Sequence, residues 1–138
     1  DHVSGGALND FLAGNVLANL LSGNDGNDTL DGKASNDTLY GELGADTMTG
    51  GTGSDQFVFN TSVDVDHITD FSHAEGDKIV LARTVFAGLT TGAMLSGDYS
   101  SHITYNAATG AVAFDNTVFV YLDNKPVSLS NTDFMVIA

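Results

Sequence analysis

A nine-residue period runs from Gly5 to Val58 and constrains this chain more than any other feature. Six blocks align without a gap: GGALNDFLA, GNVLANLLS, GNDGNDTLD, GKASNDTLY, GELGADTMT and GGTGSDQFV, numbered here as blocks 1–6. Glycine opens every block. Aspartate holds the sixth place at Asp10, Asp28, Asp37, Asp46 and Asp55, with Asn19 in block 2. A large apolar residue holds the eighth place: Leu12, Leu21, Leu30, Leu39, Met48 and Phe57.

This repeat predicts turns and short strands instead of helices. Each glycine inside a helix costs about 1 kcal/mol, and glycine allows the left-handed backbone that tight turns need. We expect six turn residues and three strand residues per block. The eighth residue then points inward while its neighbours point outward, because side chains alternate along a strand. Two blocks make one coil of a flattened solenoid, with turns on alternate edges.

The sixth-place aspartates indicate what holds such turns together. Turns on the same edge belong to blocks two apart, so their carboxylates lie about 4.8 Å from each other. Stacked carboxylates repel unless a cation lies between them. The available ligands are carboxylate and carbonyl oxygens, which favour calcium over magnesium in a flexible frame. The chain has no cysteine and the blocks contain no histidine, which disfavours softer metals.

The repeat resembles GGxGxDxUx, the calcium-binding nonapeptide of the RTX (hemolysin-type) family. The chain is also similar to the C-terminal part of serralysins and to the repeat modules of mannuronan C5-epimerases. The resemblance implies an all-β fold: a right-handed parallel β-roll, a calcium-stacked solenoid, that continues into a β-sandwich-like C-terminal cap. We expect the roll over residues 1–58 and a β-rich capping region with a possible secretion signal over residues 59–138, in one continuous domain.

The resemblance also implies the calcium ligands. One turn gives the carbonyls of its second and fourth residues and its aspartate, and the next same-edge turn gives the carbonyls of its first and third residues and its aspartate. Three sites follow: Asn24, Gly26, Asp28 with Gly41, Leu43, Asp46; Lys33, Ser35, Asp37 with Gly50, Thr52, Asp55; and Gly6, Leu8, Asp10 with Gly23, Asp25, Asp28. A fourth would use Asn15, Leu17, Asn19 with Gly32, Ala34, Asp37, but Asn19 lacks the charge and Leu17 replaces a turn glycine. We therefore expect three to four calcium ions.

The segment Asp66–Leu81, DHITDFSHAEGDKIVL, resembles the D-x-I-x-D-F-x-x-G-x-D-K-I segment that follows the repeats in many RTX proteins. It has one extra residue before the glycine. The resemblance implies that Asp66, Asp70 and Asp77 help to close the open end of the calcium stack. The alternative is that they are ordinary solvated turn acids.

The rest of the chain predicts further β structure. In chain order we expect strands around Ile68–Phe71 and Ile79–Leu81, a short helix over 82–89, a loop over 90–97, a hairpin of His102–Asn106 and Ala111–Asp115, and a buried strand over Thr117–Leu122. Ser130 is placed to cap one helical turn. The final DFMVIA is similar to the uncleaved C-terminal signals of type I secretion substrates, and it also fits a last strand packed on the sheet.

Composition narrows the function. The 138 residues carry a net charge of −14, with 18 acidic and 4 basic side chains. This balance argues against nucleic acid as a partner, because phosphate binding needs Lys and Arg, and it disfavours anionic membranes. No segment approaches the roughly 20 apolar residues of a membrane span. Because Asp1 begins almost directly on a repeat and no signal peptide precedes it, we expect a C-terminal piece of a longer secreted bacterial protein.

Catalytic signatures are not evident in the sequence. The four histidines form no H-E-x-x-H zinc motif, and there is no G-x-S-x-G elbow. We expect His67 and His73 to be surface residues, and the module not to be an enzyme.

Three functions remain. The first is a calcium-driven folding unit that supports type I secretion and the stability of its parent in the extracellular medium. The second is an accessory polysaccharide-binding module of a carbohydrate-active enzyme or adhesin, although only Lys33, Lys78, Arg83 and Lys125 are available to bind an acidic polymer such as alginate. The third is the tail of a serralysin-like protease.

Overall fold

In the computed structural model, which describes residues 1–61 and 64–138, two seven-stranded sheets face each other. The strands are β1 (His2–Ser4), β2 (Phe11–Ala13), β3 (Leu20–Asp25), β4 (Thr29–Asp31), β5 (Thr38–Leu43), β6 (Thr47–Thr49), β7 (Gln56–Phe59), β8 (Asp66–Ile68), β9 (Lys78–Ala82), β10 (Gly92–Ala93), β11 (Ile103–Asn106), β12 (Ala111–Phe114), β13 (Thr117–Leu122) and β14 (Phe134–Ile137). The strand order is β1-β3-β5-β7-β9-β14-β10 in the first sheet and β11-β12-β13-β8-β6-β4-β2 in the second.

Successive strands of the repeat alternate between the two sheets. Within each sheet they pair in parallel with a register of 18 residues, so that Leu12 lies beside Leu30 and Leu30 beside Met48. Two blocks therefore complete one coil, as the repeat predicts. The resulting parallel β-solenoid confirms the expected fold class.

The core lies between the sheets and is built from the eighth place of each block. All six of these side chains are buried, five of them with no exposed surface, because they point inward from strands whose neighbouring residues point out. In the second sheet, β2, β4 and β6 span places seven to nine, as expected. In the first sheet, β3 and β5 continue for three further residues into the next block, so that these turns begin inside the sheet.

The capping region extends both sheets beyond the repeats. The first sheet continues through β7 and β9, which pair in parallel, and the second continues through β8. The predicted hairpin is present as β11 and β12, and β13 joins it to β8. The roll therefore passes without a break into a sandwich of mixed sheets.

Two local predictions are wrong. The segment 82–89 forms consecutive turns instead of a helix, with the N–H groups of Val85 and Phe86 both donating to the carbonyl of Ala82. Its buried Phe86 and Leu89 explain why tertiary packing overrides helix propensity. A helix, α1, instead covers Ser96–His102, which was expected to begin as loop. Its Ser and Gly residues give little helix signal.

The chain ends inside the first sheet. Ser130 caps a 3₁₀ turn, Asn131–Asp133, in a capping box with Asp133, as expected. Strand β14 follows and lies between β9 and β10, with Phe134 and Val136 buried. The ending thus packs as a final strand.

Among the described residues, no helix has the length and apolar content to cross a bilayer.

Candidate metal sites

The sixth-place side chains form two ladders, one along each edge of the roll. On the odd-block edge, Oδ1 of Asp28 accepts a hydrogen bond from the N–H of Asp10 at 2.7 Å, and Oδ1 of Asp46 accepts from the N–H of Asp28 at 2.7 Å. On the even-block edge, Asp37 accepts from the N–H of Asn19 and Asp55 from that of Asp37. Each turn is thereby tied to the previous same-edge turn through one carboxylate oxygen.

The second oxygen of these carboxylates has no such partner. Oδ2 is fully buried in Asp28, Asp37, Asp46 and Asp55, and no described residue donates a hydrogen bond to it. An ionised oxygen in that position costs several kcal/mol unless a charge of opposite sign compensates it. These four atoms are therefore the strongest local indication of a bound cation.

Main-chain carbonyls face the same spaces. In the gap between blocks 3 and 5, Oδ2 of Asp28 lies against Gly23, and the carbonyl oxygen of Gly41 lies 2.7 Å from where a Cβ on Gly23 would sit. The carbonyl of Gly26 points across the same gap at Gly44. The gap between blocks 4 and 6 repeats this arrangement with Asp37 and the carbonyl of Gly50 against Gly32.

Two other predicted carbonyl ligands of these gaps already accept hydrogen bonds. Leu43 accepts from the N–H of Gly26 at 2.9 Å, and Lys33 accepts from the N–H of Thr52 at 3.1 Å. A carbonyl has two lone pairs, so one remains for a cation. The carbonyl of Ser35 points at Gly53, on the same side as that of Lys33.

The left-handed backbone occurs where the repeat calls for it. Asn24, Lys33 and Glu42 at the second place and Ser35 at the fourth have φ of 74–83°, and glycine holds the other such positions in blocks 3–6. Blocks 1 and 2 contain no residue with positive φ. Their fourth places are Leu8 and Leu17, which strongly disfavour that conformation. The first two turns therefore differ in shape from the four that follow.

The gap between blocks 1 and 3 is largely closed by the chain itself. Oδ2 of Asp10 accepts a hydrogen bond from the N–H of Gly6 at 2.7 Å, and the carbonyl of Gly6 accepts from the N–H of Asp25 at 3.2 Å. The carbonyl of Leu8 points at Gly26, while that of Gly23 points at Gly5. The predicted ligands are thus brought together, but the orphaned oxygen of the later gaps has no counterpart here.

The gap between blocks 2 and 4 contains an amide nitrogen. Asn19 is buried, and its Nδ2 lies against Gly14, in the position that a carboxylate oxygen takes in the other blocks. The carbonyl of Gly32 faces the same point. Ala34, the third residue of block 4, forms a parallel bridge to Thr52 of block 6.

Both ladders continue past the last repeat, which the sequence indicated only weakly. Oδ1 of Asp66 accepts from the N–H of Asp46 at 2.9 Å, and Oδ1 of Asp77 accepts from the N–H of Asp55 at 2.9 Å. Both side chains are buried. Asp70 lies differently: its two oxygens accept from the N–H groups of Gly50 and Gly51 and cap the turn of block 6.

Burial changes the acidity of the ladder. It raises the pKa of Asp46 and of Asp55 to about 6 and that of Asp66 to about 7, and neighbouring carboxylates add to each rise. It also raises the pKa of Asp28 and Asp77. Without a cation, the carboxyls of Asp46, Asp55 and Asp66 therefore take up protons at a higher pH than exposed aspartates do.

Side chains alone do not make a metal centre here. Over residues 1–61 and 64–138, no three His, Cys, Asp or Glu side chains converge as a metal-binding group. Each gap offers two stacked carboxylates, and its remaining oxygens belong to the main chain. Hard oxygen donors of this kind are suited to calcium.

The histidines lie outside the gaps. Nδ1 of His67 contacts Asp123 at 2.7 Å, His73 contacts Asp133, and both side chains are well exposed, as expected.

Comparison with known proteins identifies the repeat. A family model described as RTX calcium-binding nonapeptide repeat (4 copies) matches residues 4–39 and 22–57. Residues 4–57 are RTX calcium-binding repeats. RTX repeats of this kind form a structural calcium-binding unit that is not itself catalytic.

The fold of the whole chain has a solved counterpart. The AlgE6R3 subunit of the mannuronan C5-epimerase of Azotobacter vinelandii matches with a TM-score of 0.66 and 23% identity, over 94% of this chain and 80% of that one. This likeness shows that the RTX roll and its cap share one fold with that subunit. A search of curated protein sequences found no match.

Proposed function

We propose that this RTX module is a calcium-driven folding unit with four ions, one in each gap that contains an orphaned carboxylate oxygen. The observation that carries the proposal is the burial of Oδ2 in Asp28, Asp37, Asp46 and Asp55 without a described donor. Two of the gaps join blocks 3 with 5 and blocks 4 with 6. The other two lie between block 5 and Asp66, and between block 6 and Asp77.

The proposed ligands of the two repeat gaps are those that the RTX resemblance implies. In the gap between blocks 3 and 5, they are the carboxylates of Asp28 and Asp46 with the carbonyls of Asn24, Gly26, Gly41 and Leu43. In the gap between blocks 4 and 6, they are Asp37 and Asp55 with the carbonyls of Lys33, Ser35, Gly50 and Thr52. At the end of the roll, Asp66 and Asp77 replace the repeat aspartates. Calcium supplies the positive charge that these oxygens lack.

The binding free energy of four calcium ions is large enough to fold the module. A site filled at about 10–100 times its dissociation constant contributes about 1.4–2.7 kcal/mol. Four sites therefore contribute about 6–11 kcal/mol, comparable with the whole stability of a typical domain. Without calcium, the buried carboxylates and the net charge of −14 oppose the compact state.

This balance supports a role in secretion. Extracellular calcium modules bind in roughly the 10⁻⁴–10⁻³ M range, so the sites stay empty inside a cell and fill outside it. An unfolded chain suits export through a type I channel, and calcium then folds the module in the extracellular medium and stabilises its parent.

Polysaccharide binding remains a prediction. Lys33 is already paired with Asp31 at 2.5 Å, which works against binding an acidic polymer.

A calcium titration tests the proposal. Far-UV circular dichroism of chelated protein should change cooperatively from coil to β structure at about 0.1–1 mM calcium, and magnesium at the same concentrations should not replace it. Native mass spectrometry of the folded form should count four ions. A chain with its full β signal in excess chelator at pH 7.5 would contradict the proposal.

A further inference from the structure

Asn19 is the one sixth-place residue of the RTX blocks that is not an aspartate. It is 5% exposed, and its place in the ladder is regular, because its N–H donates to Oδ1 of Asp37 at 2.7 Å as the later aspartates do to their partners. Asparagine in place of aspartate therefore changes which side-chain atoms lie in the gap between blocks 2 and 4, while the backbone on either side keeps its register.

The amide of Asn19 bonds the oxygens that a cation would otherwise bind. Nδ2 donates to Oδ1 of Asp37 at 3.1 Å and also to the carbonyl of Leu17. Both oxygens belong to the ligand set that the RTX pattern assigns to this gap. We infer that the Asn19 amide replaces calcium between blocks 2 and 4, so that this gap closes without an ion. The inference rests on the proposed calcium sites and identifies the gap that does not need a calcium ion.

The orientation of the amide has a physical basis. With Nδ2 toward Leu17 and Asp37, two oxygens each accept an N–H. With the amide reversed, Oδ1 would face a carbonyl and a carboxylate, and three oxygens would meet with no hydrogen between them. Only a cation would hold that second arrangement, so the two orientations correspond to a hydrogen-bonded gap and a metal-bound gap.

The turn of block 2 supports the hydrogen-bonded gap independently. The N–H of Leu17 donates to Oδ1 of Asn15 at 2.8 Å, and Oγ of Ser35 donates to the carbonyl of Val16 at 2.9 Å. Neither Asn15 nor Leu17 has the positive φ that the second and fourth places adopt in blocks 3–6. Side-chain hydrogen bonds thus shape a turn whose backbone does not direct its carbonyls as the later turns do.

The substitution Asn19→Asp tests this inference through the number of bound ions. It removes the amide donor and adds the missing charge, so we expect the variant to bind one more calcium ion than the unsubstituted protein in native mass spectrometry. Asn36→Asp is the matched control. Asn36 is exposed on the same edge and its Oδ1 accepts from the N–H of Ser54, a bond that an aspartate retains, so its ion count should not change.

A second measurement on the unsubstituted protein does not depend on how the variant folds. In the calcium-saturated form, the side-chain N–H₂ of Asn19 should exchange with solvent at least about tenfold more slowly than that of exposed Asn36, because it is buried and bonded twice. An unchanged ion count in a folded, calcium-binding Asn19→Asp variant, or a rapidly exchanging Asn19 amide, overturns the inference. A protein that binds no calcium in either form overturns the proposed function as well.

Discussion

The main-chain N–H of Asp28 donates a 2.7 Å hydrogen bond to Oδ1 of Asp46, one coil farther along the roll. The same relation joins Asp10 to Asp28 and Asp46 to Asp66. Each aspartate therefore acts in two gaps: Oδ1 fixes the previous turn, and Oδ2 faces the next. Because the ladder couples neighbouring gaps, we predict that the proposed calcium sites fill cooperatively.

Substitution at Asp28 should raise the calcium midpoint of folding more than the same change at Asp10. Asp28→Ala removes both the acceptor for Asp10 and a buried ligand, whereas Asp10→Ala removes an oxygen that already bonds to Gly6. We expect a midpoint about tenfold higher for Asp28→Ala, equivalent to about 1.4 kcal/mol, and less than about threefold for Asp10→Ala. Circular dichroism titrations measure both. Equal midpoints would contradict the ladder of shared ligands.

The pH dependence of folding should reverse its sign with calcium. The folded pKa values of Asp46, Asp55 and Asp66, about 6 to 7, lie above the ordinary 3.8. In chelator, protonation therefore favours the fold, and its contribution is complete below about pH 4 and is lost as pH rises through 6–7. With calcium, protons compete with the ion, so affinity rises over that same interval.

Titrations at pH 5.5 and 7.5 test this prediction. We expect the calcium midpoint to be about tenfold lower at pH 7.5, while the chelated protein should contain less β structure there than at pH 5.5. Asp66→Asn removes the group with the highest of these pKa values and should flatten the dependence between pH 6 and 8. A midpoint independent of pH would show that these carboxyls are not ligands.

The sequence predicts the roll well because one period carries several kinds of information. The glycines of the first place, the aspartates and the inward Leu30 or Phe57 each recur every nine residues, and together they set the register. The nine-residue period no longer predicts the register beyond Val58, where the repeat ends. Asp66 and Asp77 follow their ladder partners by 20 and 22 residues instead of 18, so the connecting segments are two and four residues longer than two blocks.

Contacts distant in sequence explain the remaining errors. Phe86 packs edge-to-face against Phe114 and Phe119, at ring distances of 5.3 and 5.0 Å, and these contacts hold segment 82–89 in turns. No local sequence pattern predicts that Phe86 packs against residues about 30 positions away. Likewise, only the folded roll shows that the Asn19 amide reaches Asp37.

Replacing a turn glycine should be costly because its side chain would collide with the neighbouring turn. Gly44 has φ of 127°, and a Cβ there would collide with the carbonyl of Gly26. Gly44→Ala should therefore cost about 2 kcal/mol or more and lower the melting temperature in saturating calcium by several degrees. Gly97, in α1, has open space around it, and Gly97→Ala should be neutral or stabilise by up to about 1 kcal/mol. Similar losses in both variants would contradict the turn geometry.

The last strand should contribute directly to the stability of the module. Val136 is 2% exposed in β14, between β9 and β10, whereas Val127 is 93% exposed. Val136→Ala deletes two buried methyl groups and should cost about 1.5–3 kcal/mol, while Val127→Ala should stay within about 0.5 kcal/mol. Thermal unfolding in saturating calcium compares the two. If only Val136→Ala melts early, β14 is part of the cooperative fold, whereas equal melting of both variants with the unsubstituted protein would show that it is not.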